Sequence, residues 1–427
     1  MADRTPQQFG GVPDGETDST AALQAAFDAW QPGDQVVISG GTFRTTGALI
    51  VAQNSLILRG DGGIRAKTPF SASVLFLVTG EGVVFDTDGF ELDQSDIVSN
   101  GDSIRANGAA GLQILNVISR GTQQSFLAIG DHTTDVLLAG CDHFGKGFGV
   151  LAADREGLAR LAFRDCAFEH VGSGTPGDGI QLNCPTHGAS EVSLVGCVAR
   201  RYIGESSSRG MGFGFARVTD GQIVGCRAES CEGDGFHLEQ ESHRWLCADL
   251  RALNIGVSNP VGGNGSGLIA YDSDNITVVL VSARNCAFHG IALSGQGAAG
   301  PSQHRPNGLI ERCSIDTTQR DGIHLTAQRD FRLDRNWIRD PSLNNPGLYA
   351  GIHVGQQGGT QLENMDGTGI GNTVVLSGAT TPLGAIVVRP DSPDVTIDGV
   401  SGAISRLTED GDKRIIEAGE PRILEAA

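Results

Sequence analysis

The run Asp234-Gly235-Phe236-His237-Leu238-Glu239-Gln240-Glu241-Ser242-His243-Arg244-Trp245 holds the densest set of groups in this chain that could do chemistry. Alternation along a strand sends Phe236 and Leu238 to one face and His237 and Glu239 to the other. Hydrolysis of a glycosidic bond needs an acid and a second carboxylate at a defined separation. Asp234 with Glu239 would supply that pair, with His237 between them. Asp178 with Asp234 is an alternative pair, two coils apart in the repeat described below. That spacing is about 9 to 10 Å, near the upper end of the inverting range. Glu241 and Asp272 add polar groups for substrate, and Trp245 and Tyr271 offer apolar faces on which a sugar ring can stack. A plainer reading competes with all of this: Asp-Gly pairs shape turns, and acidic residues solvate a sheet.

Two other chemistries are weighed on the same face. Elimination or epimerisation needs a base near the sugar C5 and a neutraliser for its carboxylate, either Ca2+ or arginine. Asp272-Ser273-Asp274-Asn275 has oxygen ligands but no complete calcium loop, so a turn with Asx hydrogen bonds is the expected fate. His237, His324 and His353 share one repeat position, but Ile269 and Ala292 interrupt the series, and no metal centre is expected. No cofactor is called for either, Ca2+ being the one ion left open.

The elements that position these groups are announced by a phrase that returns along the chain. It reads Asp178-Gly179-Ile180-Gln181-Leu182, Asp234-Gly235-Phe236-His237-Leu238, His289-Gly290-Ile291-Ala292-Leu293, Asp321-Gly322-Ile323-His324-Leu325 and Ala350-Gly351-Ile352-His353-Val354. Successive glycines at 212, 235, 267, 290 and 322 lie alternately 23 and 32 residues apart. Self-similarity over a few tens of residues marks a repeat array, and short alternating strands make it a β-solenoid. Helical repeats keep a tight period; a β-solenoid coil can lengthen a loop freely. The variable period therefore predicts an all-β fold, a parallel β-helix. Cys141, Cys166, Cys197, Cys226, Cys286 and Cys313 recur at another point of the coil, as a small buried hydrophobe would in a column beside a turn. Asn336 and Asn372 take over that position and can bond the backbone of a neighbouring coil.

Composition agrees. Among 427 residues there are 62 glycines and 5% aromatics, which suits many tight turns around a narrow aliphatic core. Nine cysteines, mostly in the ladder, read as reduced buried thiols rather than a disulfide framework. A net charge of −19 argues against nucleic acid and anionic membranes as partners. No apolar run has the length of a membrane span, and Met1-Ala2-Asp3-Arg4 leads into the folded pattern without a secretory leader.

At the N-terminus, Asp18 or Ser19 caps an Ala-rich stretch that places Leu23, Ala26, Phe27 and Trp30 on one helical face. Short strands follow around Gly40. Such a helix would plug the open end of a β-solenoid. The run Phe9-Gly10 with Asp14-Gly15, Thr17-Asp18, Thr20, Ala22, Gln24 and Ala26, then Gly41-Thr42-Phe43, resembles the start of pectate-lyase-superfamily β-helix proteins. That group includes polygalacturonase-like enzymes and many phage tailspikes. The resemblance implies a single-stranded right-handed parallel β-helix, and covers the first sixty residues plus the coil pattern. The same opening serves hydrolases, lyases, epimerases and non-catalytic spikes. Against the polygalacturonase pattern, Asp234 resembles the first aspartate and Phe288-His289-Gly290-Ile291 the histidine motif. Gly265-Ser266-Gly267 stands where paired aspartates belong, and Arg320-Asp321-Gly322-Ile323 where Arg-Ile-Lys belongs. Polygalacturonase activity itself is therefore not expected.

The sequence thus predicts a capping segment over 1–45, a parallel β-helix over 46–392, and a last coil with a cap or extension over 393–427. The functional expectation is a protein that binds bacterial surface polysaccharide, with cleavage as an added capacity, serving as a homotrimeric spike of a phage or phage-like particle. Other particle proteins would dock through its N-terminus, and the chain would be made in the cytoplasm. A free glycoside hydrolase or polysaccharide lyase and a non-catalytic rod are the alternatives. Catalytic candidates are Asp234, Glu239, His237, Asp178 and His289. Substrate-binding candidates are Glu241, Trp245, Tyr271, Asp272, Asp321 and His324.

Overall fold

The computed structural model describes residues 2–97, 101–172, 177–203, 210–257, 265–294, 305–326, 328–341, 349–355 and 366–375. Beyond these it describes strands at 384–388, 394–398, 404–407 and 413–416. The chain forms two compact units, Met1–Gly233 and Asp234–Ala427, both built of parallel β-helix coils. No helix among the described residues is long and apolar enough to cross a membrane.

The first unit opens with the expected cap. Helix α1 (Thr20–Asp28) follows Ser19 at its N-cap, and Asp18 Oδ1 accepts the Thr20 amide at 3.1 Å. Leu23, Ala26 and Phe27 are fully buried, and Phe27 meets Phe76 edge-on at 6.0 Å. Trp30 is also buried and donates its indole N–H to Asp34 O at 2.8 Å. Beyond the cap, strands Val74–Val78, Asp102–Ala106, Ser125–Ile129, Phe148–Ala153, Ile180–Asn183 and Phe213–Ala216 stack in parallel. Cys141, Cys166, Cys197 and Cys226 lie buried in this unit, and all nine cysteines are free thiols.

The second unit stacks β1 (Phe236–Glu239), β2 (Leu268–Tyr271), β3 (Ile291–Ser294), β4 (Ile323–Thr326), β5 (Ala350–Val354) and β6 (Gly384–Val388) in parallel. The register runs His237↔Ile269↔Ala292↔His324↔His353↔Val387, so the position two beyond each repeated glycine forms one column. Inward positions carry Phe236, Leu238, Leu268, Ile291, Leu293, Ile323, Leu325, Ile352 and Val354, all buried. Each such side chain contributes about 1.5 to 3 kcal/mol on burial. At the C-terminal end β7 (Ile404–Leu407) continues the stack in parallel, and β8 (Lys413–Ile416) turns back antiparallel. Of the expected last segment, 393–427, residues 393, 399–403, 408–412 and 417–427 lie outside the described residues.

The asparagine ladder forms as the sequence predicts. Asn336 Oδ1 accepts the Cys313 amide at 2.9 Å, and its Nδ2 donates to Ile310 O and Asn372 Oδ1, both at 3.0 Å. Asn372 Oδ1 also accepts the Asn336 amide at 3.1 Å, and its Nδ2 donates to Leu333 O at 2.9 Å. Replacing Asn336 by Ala orphans buried backbone groups worth about 1 to 3 kcal/mol each. The expected result is a fall in unfolding free energy of about 2 kcal/mol or more, read from urea midpoints.

Candidate functional site

The Asp of the repeated phrase is a clip between coils. Asp234 is fully buried, and its Oδ1 accepts amide hydrogens from Gly265 at 2.9 Å and Ser266 at 2.7 Å on the next coil. Asp321 repeats the device on Ala350 N at 2.6 Å. In the first unit Asp178 does so on Met211 N at 2.7 Å. What differs is the residue three positions on. After Asp178 it is Gln181; after Asp234 and Asp321 it is a histidine. In both latter cases the second carboxylate oxygen meets that histidine's Nδ1 at 2.7 Å.

Around Asp234 this produces a chain of charge. His237 is buried, with Nδ1 on Asp234 and Nε2 3.3 Å from Glu239 Oε2, off the line of a good hydrogen bond. Burial alone would push the imidazole's pKa down. The two carboxylates outweigh it and raise the group to about 10. Glu239 keeps 34% of its side chain exposed; burial pulls its pKa up, but the His237 cation holds it below the ordinary value. Tyr271 lies beside them, its ring 5.8 Å from that of His237. Burial, helped by Asp234, lifts its hydroxyl to about 12. The result is a partly exposed carboxylate next to two groups that stay protonated at neutral pH.

Around Asp321 three histidines converge. Its Oδ2 lies 2.7 Å from His324 Nδ1, 3.4 Å from His353 Nδ1 and 3.5 Å from His289 Nδ1. The His289 and His324 rings stack at 4.4 Å. Burial first, then His324, drives the His289 pKa well below its usual value. Burial opposes ionisation of Asp321, but His324 and His353 overcome it and hold its carboxyl far below the usual range. Arg320 places its guanidinium 3.3 Å over the Phe288 ring and 5.4 Å from that of Tyr349.

Several expectations are corrected. Trp245 is no sugar platform: it is 1% exposed, opposite Ile276 on a neighbouring strand. The left-handed turn at Gln240 and Glu241 (φ 51° and 64°) resets the alternation, so His243–Ala248 points Trp245 and Cys247 inward. Asp321 is fully buried under histidines and cannot contact a substrate directly. Asp234 has both oxygens engaged and is not an exposed acid. Asp178 is likewise buried and belongs to the first unit. Glu241 is exposed at the corner, where its amide donates to Asp272 O at 2.9 Å. Asp274 lies 3.0 Å from His243 Nδ1 on the paired strand and accepts from Asn275 Nδ2, so this carboxylate is engaged within the protein, while Asp272 turns the corner at a left-handed φ of 47°. Arg320 and Tyr349 were not among the site residues proposed from sequence; Arg320's place directly before Asp321 in the repeat was the available signal.

Residues 206–366 match the family model described as a right handed beta helix region. Among solved structures, the A-module of the Azotobacter vinelandii mannuronan C-5 epimerase AlgE6 superposes with a TM-score of 0.53 at 14% identity, covering 93% of this chain and 98% of that one. The A-module of AlgE4 from the same organism gives 0.50 at 16% identity, covering 93% and 100%. Among curated proteins, none matches this sequence. These likenesses establish the right-handed parallel β-helix fold anticipated from the opening motif and the coil repeat.

Because the folded pKa of His237 lies above the unfolded value of 6.5, its stabilisation is full below about pH 6.5 and is lost as pH rises towards about 10. Breaking this buried pair with His237→Gln is expected to cost about 3 to 5 kcal/mol near pH 6, with the gap to the parent narrowing towards pH 10. Urea midpoints across that range test it.

Proposed function

We propose that this right-handed β-helix protein binds an acidic polysaccharide on the outward face of the second unit and acts on it by proton transfer next to a sugar carboxylate. The observation that carries this reading is the Asp234–His237–Glu239 chain beside Tyr271: one partly exposed base facing two donors kept protonated. Glu239 takes the proton from the ring carbon bearing the carboxylate. In elimination, the bond from the neighbouring carbon to the glycosidic oxygen breaks, a carbon–carbon double bond forms, and Tyr271 protonates the departing oxygen. In epimerisation no carbon–oxygen bond breaks; a solvent-derived proton is delivered to the opposite face of the carbon in place of the one Glu239 took. His237 holds Glu239 ionised and in place, and Asp234 fixes the imidazole. Arg320, directed over Phe288 and Tyr349, supplies the positive charge that an acidic sugar requires. Glu241 and Asp272 line the corner where the glycan would leave the sheet. The mannuronan epimerase modules, which share the fold, lend the polysaccharide reading a precedent.

The test incubates purified protein with acidic and neutral bacterial polysaccharides. It follows ultraviolet absorbance of an unsaturated product, solvent deuterium entering the sugar ring, and new reducing ends. The parent is expected to give absorbance or deuterium uptake on an acidic glycan, and Glu239→Gln to lower the rate about 10²- to 10⁴-fold. Arg320→Ala is expected to raise KM more than it lowers kcat. Reducing ends without either of the other signals would mean hydrolysis and overturn the reading.

The likeness of the N-terminal motif to phage tailspikes favours a second, compatible reading, in which the protein is displayed on a phage-like particle as a homotrimer. Sedimentation equilibrium is expected to return three times the chain mass of 44.5 kDa; a monomer would exclude the trimeric spike.

A further inference from the structure

The second unit brings together two columns that the sequence keeps apart. His324 comes from the position two after a repeated glycine, whereas His289 and Asp321 come from the position just before one. Their ligand atoms, one nitrogen from each imidazole and a carboxylate oxygen, all lie within 4.8 Å of one another. We propose that His289, Asp321 and His324 bind one divalent transition-metal ion of the zinc class, through two imidazoles and a carboxylate.

Three observations carry this. The first is spacing. Zinc–nitrogen bonds of roughly 2.0–2.1 Å in a tetrahedron put neighbouring donor atoms about 3.3–3.4 Å apart. Asp321 Oδ2 already stands 3.5 Å from His289 Nδ1. The 2.7 Å contact to His324 Nδ1 must open by roughly 0.6 Å to admit the ion, a change that a small ring rotation supplies.

The second is a buried atom left without a partner. His289 is buried, and its Nδ1 has no hydrogen-bond partner although it faces the Asp321 carboxylate. An unmade bond at a buried nitrogen is costly, and coordination removes the cost.

The third is donor type. Hard cations such as Ca2+ collect oxygen ligands, whereas two imidazoles with one carboxylate suit zinc and its first-row neighbours. His353, fully buried, approaches the same carboxylate oxygen at 3.4 Å and steadies Asp321 from the next coil, as outer partners of metal ligands do. Arg320, the cation preceding Asp321, is drawn over the Phe288 ring and leaves the carboxylate to the histidines. His324 is the most exposed of the three, with 14% of its side chain accessible against 6% for His289 and none for Asp321. A remaining coordination position would open on its side, for water or a glycan oxygen.

This site is independent of the acid–base reading; it would exist equally in a protein that only binds glycan. The full-length chain, stripped with chelator, is titrated with Co2+ and then Zn2+. One Co2+ per chain is expected, with visible ligand-field absorption that equimolar Zn2+ abolishes. His289→Gln and His324→Gln should each weaken binding at least about 10-fold, while Glu239→Gln binds as the parent does. X-ray absorption of the parent's zinc complex should show imidazole scattering and no sulfur, a readout that needs no variant to fold. Absence of a stoichiometric Co2+ spectrum in the parent, a thiolate or all-oxygen shell, or parent-like binding by both histidine variants would each overturn the proposal.

Discussion

The missing Cβ at the repeated glycines sets the geometry of the second unit. A methyl group at Gly290 would lie 2.4 Å from Ile315 Cγ2 and 2.7 Å from Gly322 O. At Gly322 it would lie 2.5 Å from Ile338 Cγ2 and 2.7 Å from Gly351 O. Each coil therefore enters its strand pressed against the core and the coil beyond it, where any side chain would push them apart. The residues on either side of the glycine inherit a fixed relation. The one before it turns its side chain along the stack to the next coil's amides, and the second after it points outward from the strand. An aspartate and a histidine at those two places must meet.

That meeting is what turns a structural clip into a site. A buried, ionised aspartate is expensive unless its oxygens are satisfied. The neighbouring coil's amides satisfy one oxygen of Asp234 and of Asp321. The other oxygen is left for the imidazole. Where the partner is Gln181, after Asp178, no titratable group is added and the clip remains a clip. Where it is His237 or His324, the same backbone device orients an imidazole, and His237 turns its far nitrogen towards Glu239. The charges are thus assembled by the fold's own need to hold coil on coil, and the candidate site differs from a plain clip by one substitution in the repeat.

This also explains how far the sequence could be read. The fold was legible because glycine, alternation and the small-residue ladder are local signals repeated many times, and Asn336 and Asn372 do bond the backbone of neighbouring coils as their column implied. The phase of a single strand after a turn was not legible. Two left-handed residues at Gln240 and Glu241 leave no pattern, and they decide that Trp245 goes inward. Nor could the convergence of different columns be read. His237, His324 and His353 formed a visible series, and its interruption by Ile269 and Ala292 argued against a metal. His289 sat in another series, and only the stacked rings, 4.4 Å apart, show that the two series meet.

The same geometry decides which chemistry the Asp234 patch favours. An acid for glycoside hydrolysis must reach the bridging oxygen and give up its proton there. Asp234 has no exposed surface, two amides on one oxygen and an imidazole on the other, so it does not reach a substrate. Glu239 is accessible, but the His237 cation holds it ionised, which suits a group that accepts a proton. The groups that keep theirs are His237 and Tyr271, both on Glu239's side of the sheet. One accessible base among fixed donors matches the proton removal proposed above better than a pair of opposed carboxylic acids, and Arg320, further along the stack, is the counter-charge that this proposal assigns to the sugar carboxylate.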